Sequence, residues 1–344
     1  MKPITIIGGG LAGLALGIGL RRRGVPVTVV EAGHYPRHKV CGEFISGRGQ
    51  ATLERLGLLG RLTSAGATSA DTVEFFTPTS VGGVRRLPQP ALCLPRYEMD
   101  ALFAAHFREL GGDLREGERR RDPSTDEGVV LATGRRLHPT VNGRHWFGLK
   151  VHARGVHLEA DLEMHLSRFG YVGLCRQPGG VVNVCGLFRH GAKRAANPGD
   201  WREMLCGPQG SLLRDRMSGA TFAENSFCAV AGIHLGSQHA RLQDGCRVGD
   251  ALTMIPPLTG NGMSIAFETA EAAINPLTEW SQGTIPWPDA QKTISLRCDE
   301  LLSTRLRWAG WIQRAALSPM MQGALLKLTS RSDRLWRSFF ERTR

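Results

Sequence analysis

A cysteine that could do chemistry stands in the stretch KVCGEFISG, residues 39–47. Cys41 follows three basic residues, Arg37, His38 and Lys39, and neighbouring basic groups favour the reactive thiolate form of a cysteine. No second cysteine is adjacent, so the stretch does not predict a redox disulfide. Cys41 is therefore either a reactive thiol or a small residue that lines a loop, and the elements around it must decide.

The most informative motif lies at the start of the chain and reads ITIIGGGLAGLALGIGLRRRGVPVTVVEA. The pattern predicts a strand over 4–7, a helix over 14–23 and a second strand over 26–30. Between the first two comes Gly8-x-Gly10-x-x-Gly13, whose glycines allow a tight turn, a close approach of pyrophosphate and close packing of helix on strand. The helix N-terminus attracts phosphate, and Glu31 is placed to accept hydrogen bonds from an adenosine ribose. The motif predicts a bound dinucleotide, either NAD or FAD.

A second motif, CRVGDALTMIPPLTGNGMSIAFETAEAA, occupies residues 246–273. Asp250 follows a predicted strand and could hold a polyol hydroxyl. Gly260 and Gly262 allow backbone to come close to a flat or anionic ligand, and a helix predicted from about Met263 directs its positive end to the same place. A turn with a helix cap would explain Asp250 alone, but it explains the whole series poorly.

These two motifs, with LPRYEMDALF at 94–103 between them, resemble the FAD-dependent aromatic hydroxylase and geranylgeranyl reductase superfamily. The resemblance covers residues 1–275 and implies FAD rather than NAD. It implies that Asp250 binds the flavin ribityl chain, that the glycine loop after it lies under the isoalloxazine, and that Arg96 contacts FAD. The cofactor-binding residues that it implies are Gly8, Gly10, Leu11, Ala12, Gly13, Glu31, Ala32, Cys41, Gly42, Arg96, Arg120, Asp250, Gly260, Asn261, Gly262 and Met263.

Some positions depart from the superfamily pattern or fall between its branches. Arg120, at the end of a strand predicted near 114–120, stands where relatives carry an aliphatic residue beside the adenine. Thr133 replaces the acid of an A-D-G turn. Cys41-Gly42 matches geranylgeranyl reductases, whereas Gly42-Glu43 matches halogenase-like relatives. We interpret this loop as a wall of the flavin site, with Cys41 as the one candidate catalytic residue, a proton donor or electronically tuning thiol.

The middle of the chain has the pattern of an antiparallel sheet, predicted over 145–190. Apolar and polar residues alternate over 158–166, which predicts one buried and one exposed face, and Pro178-Gly179-Gly180 predicts a hairpin turn. On this pattern the side chains of three histidines are expected to face solvent: His152, His157 and His165. The resemblance implies that the sheet is a lid over the flavin and that its buried side supplies the substrate pocket.

Together these elements predict an α/β fold: a Rossmann-like FAD-binding domain with an inserted antiparallel-sheet substrate domain and a C-terminal helical segment. The expected boundaries are 1–75, 95–135 and 240–280 for a discontinuous FAD-binding domain, 76–94 and 136–239 for the substrate domain, and 281–344 for the helices.

Net charge and cysteine content bear on metal binding, cellular compartment and possible binding partners. The eight cysteines are scattered singly without metal-ligand spacing, so we expect no metal and a reduced, cytoplasmic protein. The net charge is +12, and the basic C-terminal helices with Trp308 and Trp311 could either lie on the inner face of the membrane or pack as a cap. Motifs typical of nucleic-acid binding are absent.

The expected activity follows from the flavin, which carries the redox chemistry. Because no second GxGxxG is present, NAD(P)H is the expected electron donor through transient docking, with a partner reductase as the alternative. The favoured function is an FAD-dependent monooxygenase of secondary metabolism that hydroxylates a hydrophobic or aromatic small molecule. The alternatives are a geranylgeranyl reductase-like enzyme that saturates C=C bonds of a prenyl or lipid substrate, and a non-enzymatic flavin-binding protein.

Overall fold

The computed structural model describes residues 1–120, 125–135, 146–189, 200–233, 235 and 238–344. Parts of the predicted domains, at 121–124, 136–145 and 190–199, lie outside the described residues. In chain order the strands are β1 (Ile4–Ile7), β2 (Val27–Glu31), β3 (Phe44–Ile45), β4 (Thr68–Phe76), β5 (Arg85–Cys93), β6 (Asp113–Glu116), β7 (Val129–Leu131), β8 (Trp146–Arg154), β9 (Leu162–Ser167), β10 (Gly170–Gln177), β11 (Val181–Arg189), β12 (Thr221–Ile233) and β13 (Cys246–Arg247). The helices are α1 (Leu11–Arg21), α2 (Arg48–Arg55), α3 (Leu59–Ser64), α4 (Arg96–Glu109), α5 (Trp201–Cys206), α6 (Leu212–Arg216), α7 (Gly262–Gln282), α8 (Trp287–Ala316), α9 (Pro319–Arg331) and α10 (Asp333–Thr343).

A parallel sheet forms the first lobe, in the order β13-β7-β1-β2-β6. Its central strand β1 carries three buried isoleucines, Ile4, Ile6 and Ile7, as expected for a strand of a parallel sheet. Helix α1 is buried along its length up to Leu20 because it packs between the sheet and helices α4 and α7. The predicted Rossmann-like α/β fold is thus confirmed.

A larger sheet forms the second lobe, in the order β12-β8-β11-β10-β9-β4-β5-β3. Its neighbours are antiparallel except for β4 and β9, which run parallel. The Pro178–Gly180 turn joins β10 to β11, as predicted. Strand β4 spans Thr68–Phe76 and crosses the boundary expected after residue 75. Residues 32–43, which we call the 32–43 loop, run from β2 of the first sheet to β3 of the second.

The expected exposure of two of the three histidines is wrong. His152 is 9% exposed and His165 is 5% exposed, whereas His157 is exposed. The strand predicted over 158–166 starts only at Leu162, and both of its faces are buried. Its outer face carries Glu163 and His165, whose Oε2 and Nε2 lie 3.0 Å apart. Glu163 also pairs with Arg216 of α6 at 3.0 Å, so a covering helix supplies the charge that the buried carboxylate needs.

Helix α8 packs against α7, and α9 and α10 pack against α8 and against each other. Ile312 of α8 and Leu325 of α9 contact an apolar cluster of the large sheet. Arg305 of α8 donates to Glu268 of α7 over 2.7 Å in the core. Trp336 of α10 donates to the carbonyl of Arg86 in β5 over 2.9 Å, which ties the cap to the sheet. Among the described residues no helix combines the length and apolarity needed to cross a bilayer.

Candidate cofactor and substrate site

The glycine turn after β1 is shaped by contacts that only glycine permits. Gly8 has φ +110°, and a Cβ there would lie 2.3 Å from the carbonyl oxygen of Ala132. A Cβ on Gly13 would lie 1.9 Å from the carbonyl oxygen of Gly8. At Gly10, in contrast, a Cβ would meet only Lys39 Nζ, at 3.5 Å. Gly10 directly precedes α1, whose first turn carries no acidic residue, so the positive end of the helix faces open space suited to an anion.

Glu31 ends β2 and is bound from three sides. Its Oε2 accepts from the backbone N–H of Gly9 over 2.8 Å, and its Oε1 accepts from that of Gly33 over 2.9 Å. Arg37 Nη2 lies 2.7 Å from Oε2. Burial would raise the pKa of Glu31, but the Gly33 hydrogen bond and the Arg37 charge outweigh burial and leave the pKa below its usual value. Glu31 is therefore an ionised acceptor beside the glycine turn.

Two cations share one buried carboxylate in front of α1. Arg96 donates from Nε and Nη2 to the two oxygens of Asp100 over 2.8 and 3.0 Å, and Lys39 Nζ lies 3.3 Å from Oδ2. Burial would raise the pKa of Asp100, but Arg96 and Lys39 hold it below its usual value. Lys39, Arg96 and Asp100 together therefore carry a net charge of +1. This charge lies next to the open N-terminus of α1, where it could balance part of a pyrophosphate.

The second motif faces the same region from the C-terminal side. Asp250 follows the end of β13 in a short turn, and its Oδ2 lies 3.9 Å from Arg135 Nε. Burial raises the pKa of Asp250. Gly260 adopts a left-handed conformation with φ +70°. Asn261, which precedes α7, is fully buried and its Oδ1 has no hydrogen-bond partner within the described residues.

One cavity of about 290 Å³ joins these elements to the large sheet. On the cofactor side its wall contains Cys41, Gly42 and Arg96 from the first half of the chain, and Asp250, Gly260, Gly262 and Met263 from the second motif. On the opposite side the wall is mostly apolar and comes from β4, β9, β10, β11 and helices α8 to α10. Residues of this wall include Phe75, Met164, Leu166, Leu187, Ile312, Leu325 and Phe339.

A buried ionic cluster fastens the 32–43 loop to the large sheet. Glu43, the last residue of the loop, is fully buried with φ +60°. Its Oε2 lies 2.6 Å from His152 Nε2, and its Oε1 lies 3.1 Å from Lys150 Nζ. Burial would raise the pKa of Glu43, but the hydrogen bond from His152 and the charge of Lys150 lower it below its usual value. Lys150 Nζ also lies 3.3 Å from His38 Nδ1, and Asn183 donates to the Cys41 carbonyl over 2.9 Å.

Most of the predicted cofactor residues lie at the glycine turn or in the cavity wall. The two exposed exceptions are Ala32 and Arg120. Leu11 and Ala12 are buried in the first turn of α1. Ala32 is exposed next to Glu31. Arg120 is exposed in the chain after β6, beyond the segment that hydrogen-bonds to the backbone around Glu31. We find no contact that brings Arg120 to the glycine turn within the described part of the chain.

Sequence reasoning missed several polar residues of the site. Arg135 follows the A-T-G turn and pairs with Asp250, and its signal was a basic residue directly after Gly134. Lys150 and His152 alternate with buried apolar residues in β8, a pattern that also suits a strand with one exposed face. Only the tertiary structure brings them to Glu43.

The described residues fit FAD. An open helix N-terminus with excess positive charge suits a pyrophosphate, and ionised Glu31 suits ribose hydroxyls. Residues 1–142 match the family model described as FAD binding domain. This match supports FAD as the cofactor.

Individual proteins resemble the chain over shorter or more diverged stretches. Rifampicin monooxygenase of Rhodococcus hoagii is 29% identical over 150 residues, which are 40% of this chain and 30% of that protein. Menaquinone reductase of Mycolicibacterium smegmatis is 40% identical over 55 residues, 16% of this chain and 13% of that protein. The chain thus aligns with less than a third of the length of these curated relatives.

The fold as a whole has close counterparts among solved structures. The p-nitrophenol 4-monooxygenase of Pseudomonas putida DLL-E4 superposes with a TM-score of 0.76 at 15% identity, covering 100% of this chain and 99% of that one. At this identity the likeness shows the fold. With the family match, it confirms the predicted resemblance to the FAD-dependent aromatic hydroxylase and geranylgeranyl reductase superfamily.

Proposed function

We propose that this chain, which carries the FAD-binding domain of that superfamily in residues 1–142, is an FAD-dependent monooxygenase that hydroxylates a hydrophobic or aromatic small molecule. The observation that carries the proposal is the cavity of about 290 Å³, whose wall joins cofactor-side residues to an apolar sheet face. FAD bound there would supply the redox chemistry, which is the reduction of O2 by electrons from a donor. The names of the rifampicin and p-nitrophenol monooxygenases support this reaction class.

The chain's own residues would position the cofactor and exclude water from the reacting atoms. Lys39, Arg96 and the N-terminus of α1 would hold the pyrophosphate. Glu31 would accept from the ribose and Asp250 from the ribityl chain. The positive end of α7 would face the flavin ring and favour negative charge on it. Apolar residues on the opposite wall would exclude water from the reacting atoms, which strengthens every electrostatic interaction inside.

We propose NAD(P)H as the electron donor, in keeping with the single phosphate-binding turn in the sequence. Because no second dinucleotide fold is predicted, the nicotinamide would dock transiently near the flavin. Mixing purified protein with NADPH or NADH under argon and following the flavin absorbance tests this donor. Reduction by neither nucleotide, but by a separate flavin reductase, would reject it.

We also propose that the basic C-terminal helices touch anionic membrane surfaces in a cytoplasmic setting. Met320 is 92% exposed and Trp311 is 44% exposed, and Arg307 and Arg314 flank Trp311 in the sequence. Co-sedimentation with vesicles of phosphatidylglycerol, compared with phosphatidylcholine vesicles, tests the contact. Equal recovery with both vesicle types would reject it.

The reaction class is tested by following oxygen. Protein reduced by NADPH is mixed with buffer that contains ¹⁸O2 and a panel of phenols and polycyclic aromatic compounds. A monooxygenase gives a product with one ¹⁸O atom. Oxidation of the donor with only hydrogen peroxide formed for every compound would count against the proposal.

A reductase is the second candidate, favoured by the Cys41 position. Cys41 lines the cavity, where a thiol could give a proton to a substrate, and the local match to menaquinone reductase includes a reductase among the relatives. Anaerobic incubation with NADPH and a prenyl quinone would then give a product with two more hydrogen atoms. Absence of that product, with oxygenation in the parallel assay, would reject the reductase.

A further inference from the structure

Two uncharged polar side chains line the cavity among apolar neighbours, Tyr171 of β10 and Gln322 of α9. Tyr171 belongs to an apolar cluster with Leu166 and Leu187, and Leu325 of α9 packs against the same cluster. Because Gln322 and Leu325 are three residues apart on one helix, they share a face. Sheet and helix therefore bring Tyr171 and the Gln322 face of α9 to the same part of the wall.

Both groups lack the partner that a buried polar group needs. Gln322 is only 6% exposed, and its Nε2 has no hydrogen-bond partner within the described residues. Tyr171 is also 6% exposed, and we find no protein group bonded to its hydroxyl in the part of the chain that the structure describes. Burial raises the pKa of Tyr171, so the phenol stays protonated and can donate. Two donors, an N–H and an O–H, thus belong to residues that line the cavity, and neither has an acceptor within the described residues.

We infer that Gln322 Nε2 and the Tyr171 hydroxyl bind an acceptor oxygen of the substrate. The inference rests on the proposed function and narrows its substrate class. The substrate is a flat hydrophobic molecule that carries a carbonyl, quinone or phenolate oxygen on the side away from the cofactor residues. A substrate without such an oxygen would leave both donors buried and unpaired, so the site discriminates against pure hydrocarbons.

A matched pair of probes tests the oxygen requirement in the FAD-loaded protein. 2-Acetonaphthone and 2-ethylnaphthalene have nearly the same shape, but only the ketone has an acceptor. Equilibrium dialysis gives both dissociation constants. We expect the wild type to bind the ketone about tenfold more tightly, although the hydrocarbon is the more hydrophobic compound.

Variants assign the preference to the two side chains. Gln322→Met and Tyr171→Phe keep size and remove a donor, so each should weaken ketone binding roughly fivefold to tenfold and leave hydrocarbon binding unchanged. Gln322→Glu keeps the shape of the side chain but replaces the Nε2 donor by a carboxylate acceptor. This variant should also lose the preference for the ketone over the hydrocarbon. Gln313→Met is the matched control, because Gln313 of α8 is 5% exposed with an unpartnered Oε1 but does not line the cavity.

Several results would overturn the inference. These are equal affinity of the wild type for both probes, failure of either probe to bind the yellow protein, and a preference that survives in the Gln322→Met/Tyr171→Phe double variant. The last result would mean that other groups produce the preference for the ketone. The oxygenation assay is independent of this experiment. A preference for the ketone without ¹⁸O incorporation rejects the proposed monooxygenase but supports the binding site. Incorporation of ¹⁸O without a preference for the ketone supports the monooxygenase but rejects the binding site.

Discussion

The carboxylate of Glu43 and the imidazole of His152 lie 2.6 Å apart in the interior of the protein, Oε2 to Nε2. Glu43 is the last residue of the 32–43 loop and His152 belongs to β8, so this contact joins the loop to the large sheet. Lys150 completes the pair on the other oxygen of Glu43 at 3.1 Å.

Removal of Glu43 should be among the most damaging single changes. Glu43→Ala leaves Lys150 fully buried without a counter-charge, and breaking such a pair costs about 3–5 kcal/mol of unfolding free energy. Urea denaturation measures this loss. The double variant Glu43→Gln/Lys150→Met removes both charges and should recover most of the stability. A loss below about 1 kcal/mol in Glu43→Ala would mean that the pair adds little.

Stability should depend on pH through His38. Burial and the charges of Lys150 and His152 lower the pKa of His38 to about 4, whereas an unfolded histidine titrates near 6.5. Between these values the unfolded chain binds the proton and the folded chain does not, so the unfolding free energy falls as pH drops from about 6.5 to about 4. His165, whose pKa burial also lowers, acts in the same direction. His38→Gln should have a flatter profile than the wild type over this range, and an unchanged slope would contradict the assignment.

Gly10 and Gly13 should respond differently to substitution. A side chain at Gly10 enters open space in the apoprotein, where only Lys39 Nζ lies within 4 Å, so Gly10→Val should fold. It would stand where the pyrophosphate approaches, and the purified protein should contain no flavin. Gly13→Ala should instead fail to fold, because its Cβ would lie 1.9 Å from the Gly8 carbonyl oxygen. Visible absorbance and circular dichroism separate the two effects. Yellow Gly10→Val protein would refute the cofactor site.

Loss of Asp250 should also abolish flavin retention. Asp250→Ala removes the carboxylate proposed to hold the ribityl chain and leaves Arg135 without its neighbour at 3.9 Å. Flavin content per protein after gel filtration is the measurement. Asp244→Ala offers a matched control, because Asp244 lies in the turn before β13 and does not line the cavity. Equal flavin content in both variants would argue against Asp250 as a ligand.

Cys41→Ser distinguishes a lining thiol from a reactive one. Cys41 lines the cavity, and the backbone N–H of Glu43 points at its sulfur over 3.4 Å. For the monooxygenase we expect turnover within about twofold of the wild type, because a wall residue makes no bond in the reaction. For the reductase we expect a loss of about a hundredfold or more, since positioned proton transfer contributes that much. Initial rates with saturating donor decide between them.

The sequence predicts those parts of the fold whose conformation depends on contacts between residues close together in the chain. The glycine turn could be predicted because Gly8 and Gly13 are constrained by contacts within one strand–turn–helix unit. The burial of Glu163 and His165 could not, because it depends on α6, which crosses the outer face of the sheet from a distant part of the chain. Arg120 was assigned by a position in a family pattern, and the chain ends its strand at Glu116 before reaching it.

The same limit applies to the site. Asp250 and Gly260 could be placed beside the cofactor because their spacing is local and repeats a family motif. Gln322 could not be placed, because α9 reaches the cavity only after the long helix α8 folds back over the large sheet. A lone glutamine in a helical stretch carries no sequence signal of burial.

The 32–43 loop belongs to both lobes. It begins at the Glu31 end of the parallel sheet, lines the cavity with Cys41 and Gly42, and ends at a carboxylate bound by Lys150 and His152 of the large sheet. The two sheets are therefore not interchangeable modules. A chimera that takes its substrate sheet from a relative must take that relative's version of this loop as well, because a loop from one parent would meet the wrong charges on the sheet of the other.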